Sequence, residues 1–408
     1  MPKKTMFLYG LLICLCCQLG AYARAQPAAK APAVVRTQAA LNTALASKKP
    51  TPLDALTAYG KREAIRQMLW NENGLVGFGT AHLIRELNHE QLAEVLRFIN
   101  ADEHLPVLEA KLVGPPLRLS APSVQVEQDL LLLRTFADVD MKHRAEAAAP
   151  TTEIGAPAVL RRYRELFGAR LNPATMTKQP IGDLLPLFDA ASLAAKNNPA
   201  SPALEDLLRV YRELTARGID TRRSFDASVL YAMLAARRFE QARAFAAVRP
   251  HLADMPIPQV VDPLGPSFQG RSVFAYDAAR NSLTRLSLPP HPGKELVMVV
   301  GSGCHNSANA LQAIHDDPAL QARLKGVHLV LLTAPNVPVE TQLITQWDAD
   351  NPTMPIRVPF NDEEWQGIEV IGIPSFYLLS NGKVVDQRSG WPAEGKAELV
   401  KLIDAAAK

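Results

Sequence analysis

Cys304 opens the sequence Cys304-His305-Asn306-Ser307, directly after Gly301-Ser302-Gly303. An apolar run over 296–300 leads into it and a helix-like stretch over 308–324 follows, so the thiol falls at a strand-to-helix turn. A helix start offers unpaired backbone N–H groups and the positive end of the helix dipole, and both favour a thiolate over a thiol. The thiolate is the nucleophile of thiol–disulfide exchange. Gly301 and Gly303 permit a sharp turn and leave the sulfur uncovered. Seventy positions after Cys304 comes Gly372-Ile373-Pro374-Ser375, then an apolar run and Asn381-Gly382.

The chain has 408 residues and four cysteines, and the other three lie near its start. Lys3 and Lys4, an apolar run over 6–19 and the small-x-small sequence Ala23-Arg24-Ala25 read as a secretory signal peptide over 1–25, cleaved before Gln26. Ile13, Leu15 and Cys16 precede the three cysteines where a lipid-attachment site needs a small residue. The alternative is an uncleaved anchor, because the apolar run falls a little short of a membrane span. Cleavage removes Cys14, Cys16 and Cys17 and places a periplasmic or secreted chain with a single thiol in an oxidising compartment. No internal disulfide is then available, which leaves intermolecular pairing or a reactive thiol.

The elements that must position this thiol come in two parts. Residues 26–52, rich in Ala, Pro and Lys, read as a tether with a short helix over 37–46. From 53 to 249 apolar residues recur at spacings of three and four, which predicts an all-α domain. Its helices are expected over 54–69, 80–99, 127–141, 158–167, 181–195, 202–217, 225–236 and 239–248. The pair at 225–236 and 239–248 faintly resembles a helical repeat, but no second copy recurs at a fixed period, which favours an irregular bundle. Five prolines in the stretch around 250–269 mark a linker. Beyond it the pattern alternates: a hairpin at 272–276 and 282–288, strand 296–300, helix 306–324, strand 327–332, helix 341–347, strands 375–379 and 383–388, and helix 394–407. This predicts a mixed α/β sheet. With 48% hydrophobic residues the chain has ample material for its cores. A formal charge of +3 with no basic stripe makes nucleic acid a poor partner.

Residues 270–408 resemble the thioredoxin superfamily, in particular its periplasmic thiol–disulfide oxidoreductase-like branch. Four features carry the resemblance in order: the strand at 294–300, Cys304 to Ser307 in the C-x-x-C position, Gly372-Ile373-Pro374-Ser375 in place of Gly-Ile-Pro-Thr, and Asn381-Gly382 with a later Gly390. The resemblance implies that Pro374 is cis and lies beside Cys304. It further implies that Ile373 pairs with a bound peptide as an added strand, and that Gly303 and Ser375 belong to the same substrate groove.

The departures from the family pattern decide the chemistry. Ser307 stands where a resolving cysteine is usual, and a hydroxyl cannot resolve a mixed disulfide. Gly303 replaces the usual aromatic residue, and Met298 replaces a buried acid. The candidate catalytic set is Cys304, His305, Ser307 and Pro374. His305 either tunes the thiol or is a solvated residue of the helix start, and Asn306 and Ser307 also suit helix capping.

Other chemistries fit less well. Cys304, His305 and His315 lack a paired-cysteine metal spacing. Val297 and Gly301 occupy the places where a peroxide-reducing cysteine needs a proline and a hydroxyl residue. Gly301-Ser302-Gly303 lacks the nucleophile-elbow spacing, and no phosphate or dinucleotide loop occurs. No metal or cofactor is expected. The expectation is monothiol exchange or isomerisation through Cys304 with cysteine-containing exported proteins or a membrane redox partner. The alternative is a non-catalytic interaction module, because a fold does not carry its usual activity with it.

Overall fold

The computed structural model describes residues 34–146, 155–302, 304–365, 367–368 and 372–407. The signal peptide expected over 1–25 and the first part of the tether lie outside the described residues. The rest of the tether is docked. Val35 donates its amide to the Phe98 carbonyl at 2.7 Å, and α1 (Gln38–Ala46) buries Leu41. Apolar residues at these two positions override the polar composition around them.

Residues 53–249 form two helical units rather than one. The first contains α2 (Ala58–Arg66), the hairpin β1 (Leu69–Asn71) and β2 (Gly74–Gly77), α3 (Ala81–Glu86), α4 (His89–Phe98) and α5 (Leu105–Glu109), around its own core of Leu53, Leu83, Leu92, Leu96 and Ile99. The helix expected over 80–99 breaks in two because Asn88 and Gln91 form a reciprocal cap that starts a new helix. The helix expected over 54–69 begins only at Ala58, where Thr57 caps it, and ends at Arg66 ahead of the hairpin.

The second unit is a bundle of α6 (Val124–Glu146), α7 (Ala156–Phe167), α8 (Pro173–Met176), α9 (Leu184–Asn197), α10 (Ala203–Ala216), α11 (Phe225–Ala235) and α12 (Phe239–Ala247). The seam between the two units is polar. Arg223 donates to the carbonyls of Ile84, Leu87 and Gly114, and Arg85 pairs with Asp189 at 3.0 Å.

The expected linker is part of the sheet. β3 (Gln259–Val261) adds parallel to β5 (Ser282–Ser287), which forms an antiparallel hairpin with β4 (Ser272–Asp277). Proline content hid a three-residue strand, an edge strand where prolines are tolerated nearby. The remaining elements are β6 (Lys294–Val300), α13 (His305–Asp316), α14 (Pro318–Lys325), β7 (Leu329–Thr333), α15 (Thr341–Asp350), β8 (Ile356–Pro359), β9 (Ser375–Ser380), β10 (Lys383–Ser389) and α16 (Gly395–Ala406). The sheet order is β10-β9-β6-β7-β8-β4-β5-β3, with β6, β7 and β8 parallel and β9 antiparallel to β6. The helix expected over 306–324 is two helices, because Pro318 cannot continue α13 and Asp317 caps α14 instead.

β6 sits mid-sheet and is buried on both faces, which explains its unbroken apolar run. Leu296, Met298 and Val300 face α13 and α16 through Leu311, Ile314, Leu399 and Ile403. Val297 and Val299 face the opposite core with Tyr377, Leu379, Trp365 and Ile368. The helical bundle and the sheet share one core: Phe239 of α12 meets Phe274 of β4 edge to face, with ring centroids 6.2 Å apart.

Candidate functional site

The site is assembled where β6 ends. Gly301 and Ser302 turn the chain, and Cys304 takes the N-cap position of α13 in an extended conformation. Its half-buried sulfur lies 3.0 Å from the Ile373 carbonyl, to which the thiol donates, and the Ile373–Pro374 bond is cis. Residues 69 and 70 positions apart are thus in direct contact across the turn.

Gly301 makes that approach sterically feasible. A Cβ there would stand 2.5 Å from Cδ1 of Ile373. Ser307 closes the turn from the helix side: its fully buried hydroxyl accepts from the Gly301 amide at 3.2 Å. The Ser307 hydroxyl is therefore engaged in holding the strand-to-helix corner.

The candidate residues separate into two sets. Cys304, Ile373 and Pro374 come together, and Ser307 supports the turn beneath them. His305 is exposed as the first residue of α13. Ser375 is buried as the first residue of β9, opposite Val299, and its hydroxyl donates to the Gly372 carbonyl and lies 3.1 Å from that of Ser389. Ser375 thus packs inward and ties β9 to β10, and offers no free hydroxyl to a groove. Gly303 lies outside the described residues. Met298 is a core residue, 1% exposed.

Three residues that the sequence reading did not single out complete the site. Glu340, immediately before α15, accepts from the Ser302 amide at 2.8 Å and from its hydroxyl at 2.6 Å, both through Oε1. Tyr231 of α11 lines a cleft of about 630 Å³ that also contains Cys304, Ser302, Val337, Glu340 and Leu343. Burial, and then the charge of Glu340, raise the Tyr231 phenol above its ordinary pKa. Arg237, at the turn after α11, donates to the carbonyls of Val337 at 2.7 Å and Pro335 at 3.0 Å. Desolvation lowers its pKa to about 10, which leaves it charged at neutral pH. It thereby fixes the loop that carries Glu340. A sequence signal for Glu340 existed: it is the only charged residue between His328 and Asp348.

Among the described residues no three His, Cys, Asp or Glu side chains converge as metal ligands, and no helix is long and apolar enough to cross a membrane. His315 lies 3.4 Å from the Asn351 amide oxygen at the far end of α13, away from the thiol.

No family model matches this chain, and no curated protein matches it. Solved structures do resemble it. The solution structure of an uncharacterized thioredoxin-like protein from Porphyromonas gingivalis is 16% identical, covers 34% of this chain and 91% of its own, and gives a TM-score of 0.26. The C-terminal domain of an uncharacterized protein from Bacteroides fragilis is also 16% identical, with coverage of 37% and 96% and a TM-score of 0.24. A thioredoxin-like protein from Bacteroides caccae is 15% identical, with coverage of 72% and 99% and a TM-score of 0.24.

Proposed function

We propose that this is an exported, monothiol thioredoxin-like protein that forms mixed disulfides through Cys304. The observation that carries the reading is the sulfur, at a helix start, 3.0 Å from the carbonyl that precedes a cis proline. In the proposed step the Cys304 thiolate attacks one sulfur of a substrate disulfide. A Cys304–substrate bond forms, the substrate S–S bond breaks, and the leaving thiolate takes up a proton. An external thiol, attacking in the same way, releases the substrate. Ser307 has no thiol to do so, and its hydroxyl is bonded to the turn. The partners are cysteine-containing exported proteins or a membrane redox partner. Ile373 and Pro374 would line the groove in which the substrate chain docks, once the incoming chain displaces the thiol from the Ile373 carbonyl.

A second reading, an interaction module with an idle thiol, is favoured by α6, whose outer side exposes Leu131, Leu132, Phe136 and Val139. One experiment separates the two. The wild-type chain and Cys304→Ala are compared for alkylation rate against pH and for disulfide-linked partners in non-reducing extracts. Exchange predicts alkylation of Cys304 faster than in the urea-unfolded chain and partners that vanish in Cys304→Ala. Ordinary reactivity, with partners retained in Cys304→Ala, would leave only the interaction reading.

A further inference from the structure

The cleft beside Cys304 is uneven in charge. Among the described residues that line it, Glu340 is the only one with a formal charge at neutral pH, and no lysine or arginine is present. One oxygen of that carboxylate is satisfied, since Oε1 takes both donors of Ser302. The other, Oε2, is buried and has no hydrogen-bond partner. A carboxylate whose second oxygen has no protein donor is under-compensated, and a cation held in the cleft beside it offsets that charge through space. Both carboxylate oxygens lie beside Gly301, 3.6 and 3.7 Å from where a Cβ would stand, so Glu340 borders the turn that leads to the thiol. The Tyr231 ring forms another wall, close enough for the Glu340 charge to act on its phenol. An aromatic face beside a carboxylate is a favourable setting for an ammonium or guanidinium group. Val337, Val339 and Leu343 supply apolar surface for the carbon chain that carries it.

We infer that the Tyr231–Glu340 cleft is a subsite for a cationic group carried next to the disulfide that Cys304 attacks. This rests on the exchange reading and adds a substrate class to it. The chemistry has two sources: a small aminodisulfide, or a polypeptide cystine with lysine or arginine beside it. In either case the cation occupies the cleft while the sulfur meets Cys304, and the covalent step is the exchange already described, with no further oxidant or reductant. The helical bundle would then take part in substrate choice directly, because Tyr231 belongs to it.

The test uses the full chain and three small disulfides of similar size: cystamine, 2-hydroxyethyl disulfide and 3,3′-dithiodipropionate. Rates of mixed-disulfide formation at Cys304 are read by mass spectrometry, and each is divided by the rate of the same reagent with the urea-unfolded chain. At low salt the expected order is cationic, neutral, anionic, with about a tenfold spread, the size of one attraction and one repulsion in a partly screened cleft. The spread should shrink in salt and should narrow several-fold in Glu340→Gln and in Tyr231→Leu. Tyr231→Leu leaves the Ser302–Glu340 bonds in place, so it remains informative if Glu340→Gln disturbs the turn. Two cystine peptides, with lysine or glutamate beside the cysteine, then identify the source: a preference confined to cystamine indicates a small aminodisulfide, and one shared with the lysine peptide indicates a polypeptide. Equal normalised rates for all three reagents, or a spread unchanged in both variants, overturns the subsite and leaves exchange standing. Failure of every disulfide to react overturns the exchange reading itself.

Discussion

Gly301→Ala tests whether the thiol turn depends on the close approach of Ile373. The new Cβ would stand 2.5 Å from Ile373 Cδ1, whereas carbon atoms prefer a separation of about 3.5–4.0 Å. Ile373 must therefore yield by about 1 Å. Overpacking of this kind costs about 1–3 kcal/mol, and the low end applies because the obstructing atom ends a flexible side chain. Gly301 does not need a left-handed backbone, so alanine adds no torsional strain. Stiffening of the unfolded chain returns about 0.4–1 kcal/mol. Ile373→Val removes the obstructing methyl at a cost of about 0.5–1.5 kcal/mol. The double variant should then be about 1 kcal/mol more stable than the sum of the single losses, since the alanine methyl fills the space that valine leaves. The backbone-entropy contribution occurs with either residue at 373 and cancels from this cycle. Urea midpoints at unchanged slope measure all four proteins. Additivity within about 0.3 kcal/mol would refute the claim that these two residues meet.

Two other outcomes follow from the site and from the seam. Arg237→Met leaves the Pro335 and Val337 carbonyls without donors and should cost about 3 kcal/mol in urea unfolding, with a change in Cys304 alkylation rate; Arg237→Lys should restore only part of both, because a point charge does not reproduce a two-pronged guanidinium. In the seam, burial alone would raise Asp189, but the Arg85 charge and the His82 hydrogen bond outweigh it and hold its pKa well below the carboxylate range. Burial alone would lower His82, but hydrogen bonds to Asp189 and Glu86 outweigh it and raise its pKa. The depressed carboxylate contributes stability that is present above about pH 4 and lost as pH falls through its folded value, and the raised imidazole contributes stability present below about pH 6.5 and lost as pH rises through its folded value. Stability measured by urea unfolding should therefore lose part of its acid limb in Asp189→Asn and part of its alkaline limb in His82→Gln.

Long apolar and periodic segments were legible in the sequence. The run at β6, buried on both faces, and the helices α6, α7 and α9 to α12 appear close to where spacing puts them; the short α8 was not expected. Short elements were not, because their pairing partners lie far away in sequence. β8 has four residues, follows Pro355 and ends on Pro359, and exists through β7 and β4, and β3 exists through β5. The hairpin of β1 and β2 did carry a local signal, Asn73-Gly74 between apolar residues, which the helical spacing around it obscured. At the site, Cys304, Ile373 and Pro374 could be paired only through the family resemblance that their motifs suggest. Tyr231, Arg237 and Glu340 could not, because no spacing rule links a helix–turn pair at 225–248 to a loop 100 residues later. Ser375 had a family precedent for its position, but its neighbours Gly372 and Ser389 take up its hydroxyl.

The strand hidden in the proline-rich segment has a practical consequence for dividing this chain. Composition suggests a cut near residue 270, but β3 would leave with the helical part and β5 would become an open sheet edge, with unpaired N–H and C=O groups. The same cut would remove Phe239 from Phe274, and Tyr231 and Arg237 from the cleft wall and its loop. A fragment made that way keeps the sulfur and its Ile373 contact but loses Tyr231 from the cleft and the Arg237 anchor of the Glu340 loop. The smallest piece that preserves the thiol's surroundings begins inside the helical bundle, before α11, so an inactive 270–408 fragment would say nothing about the whole protein.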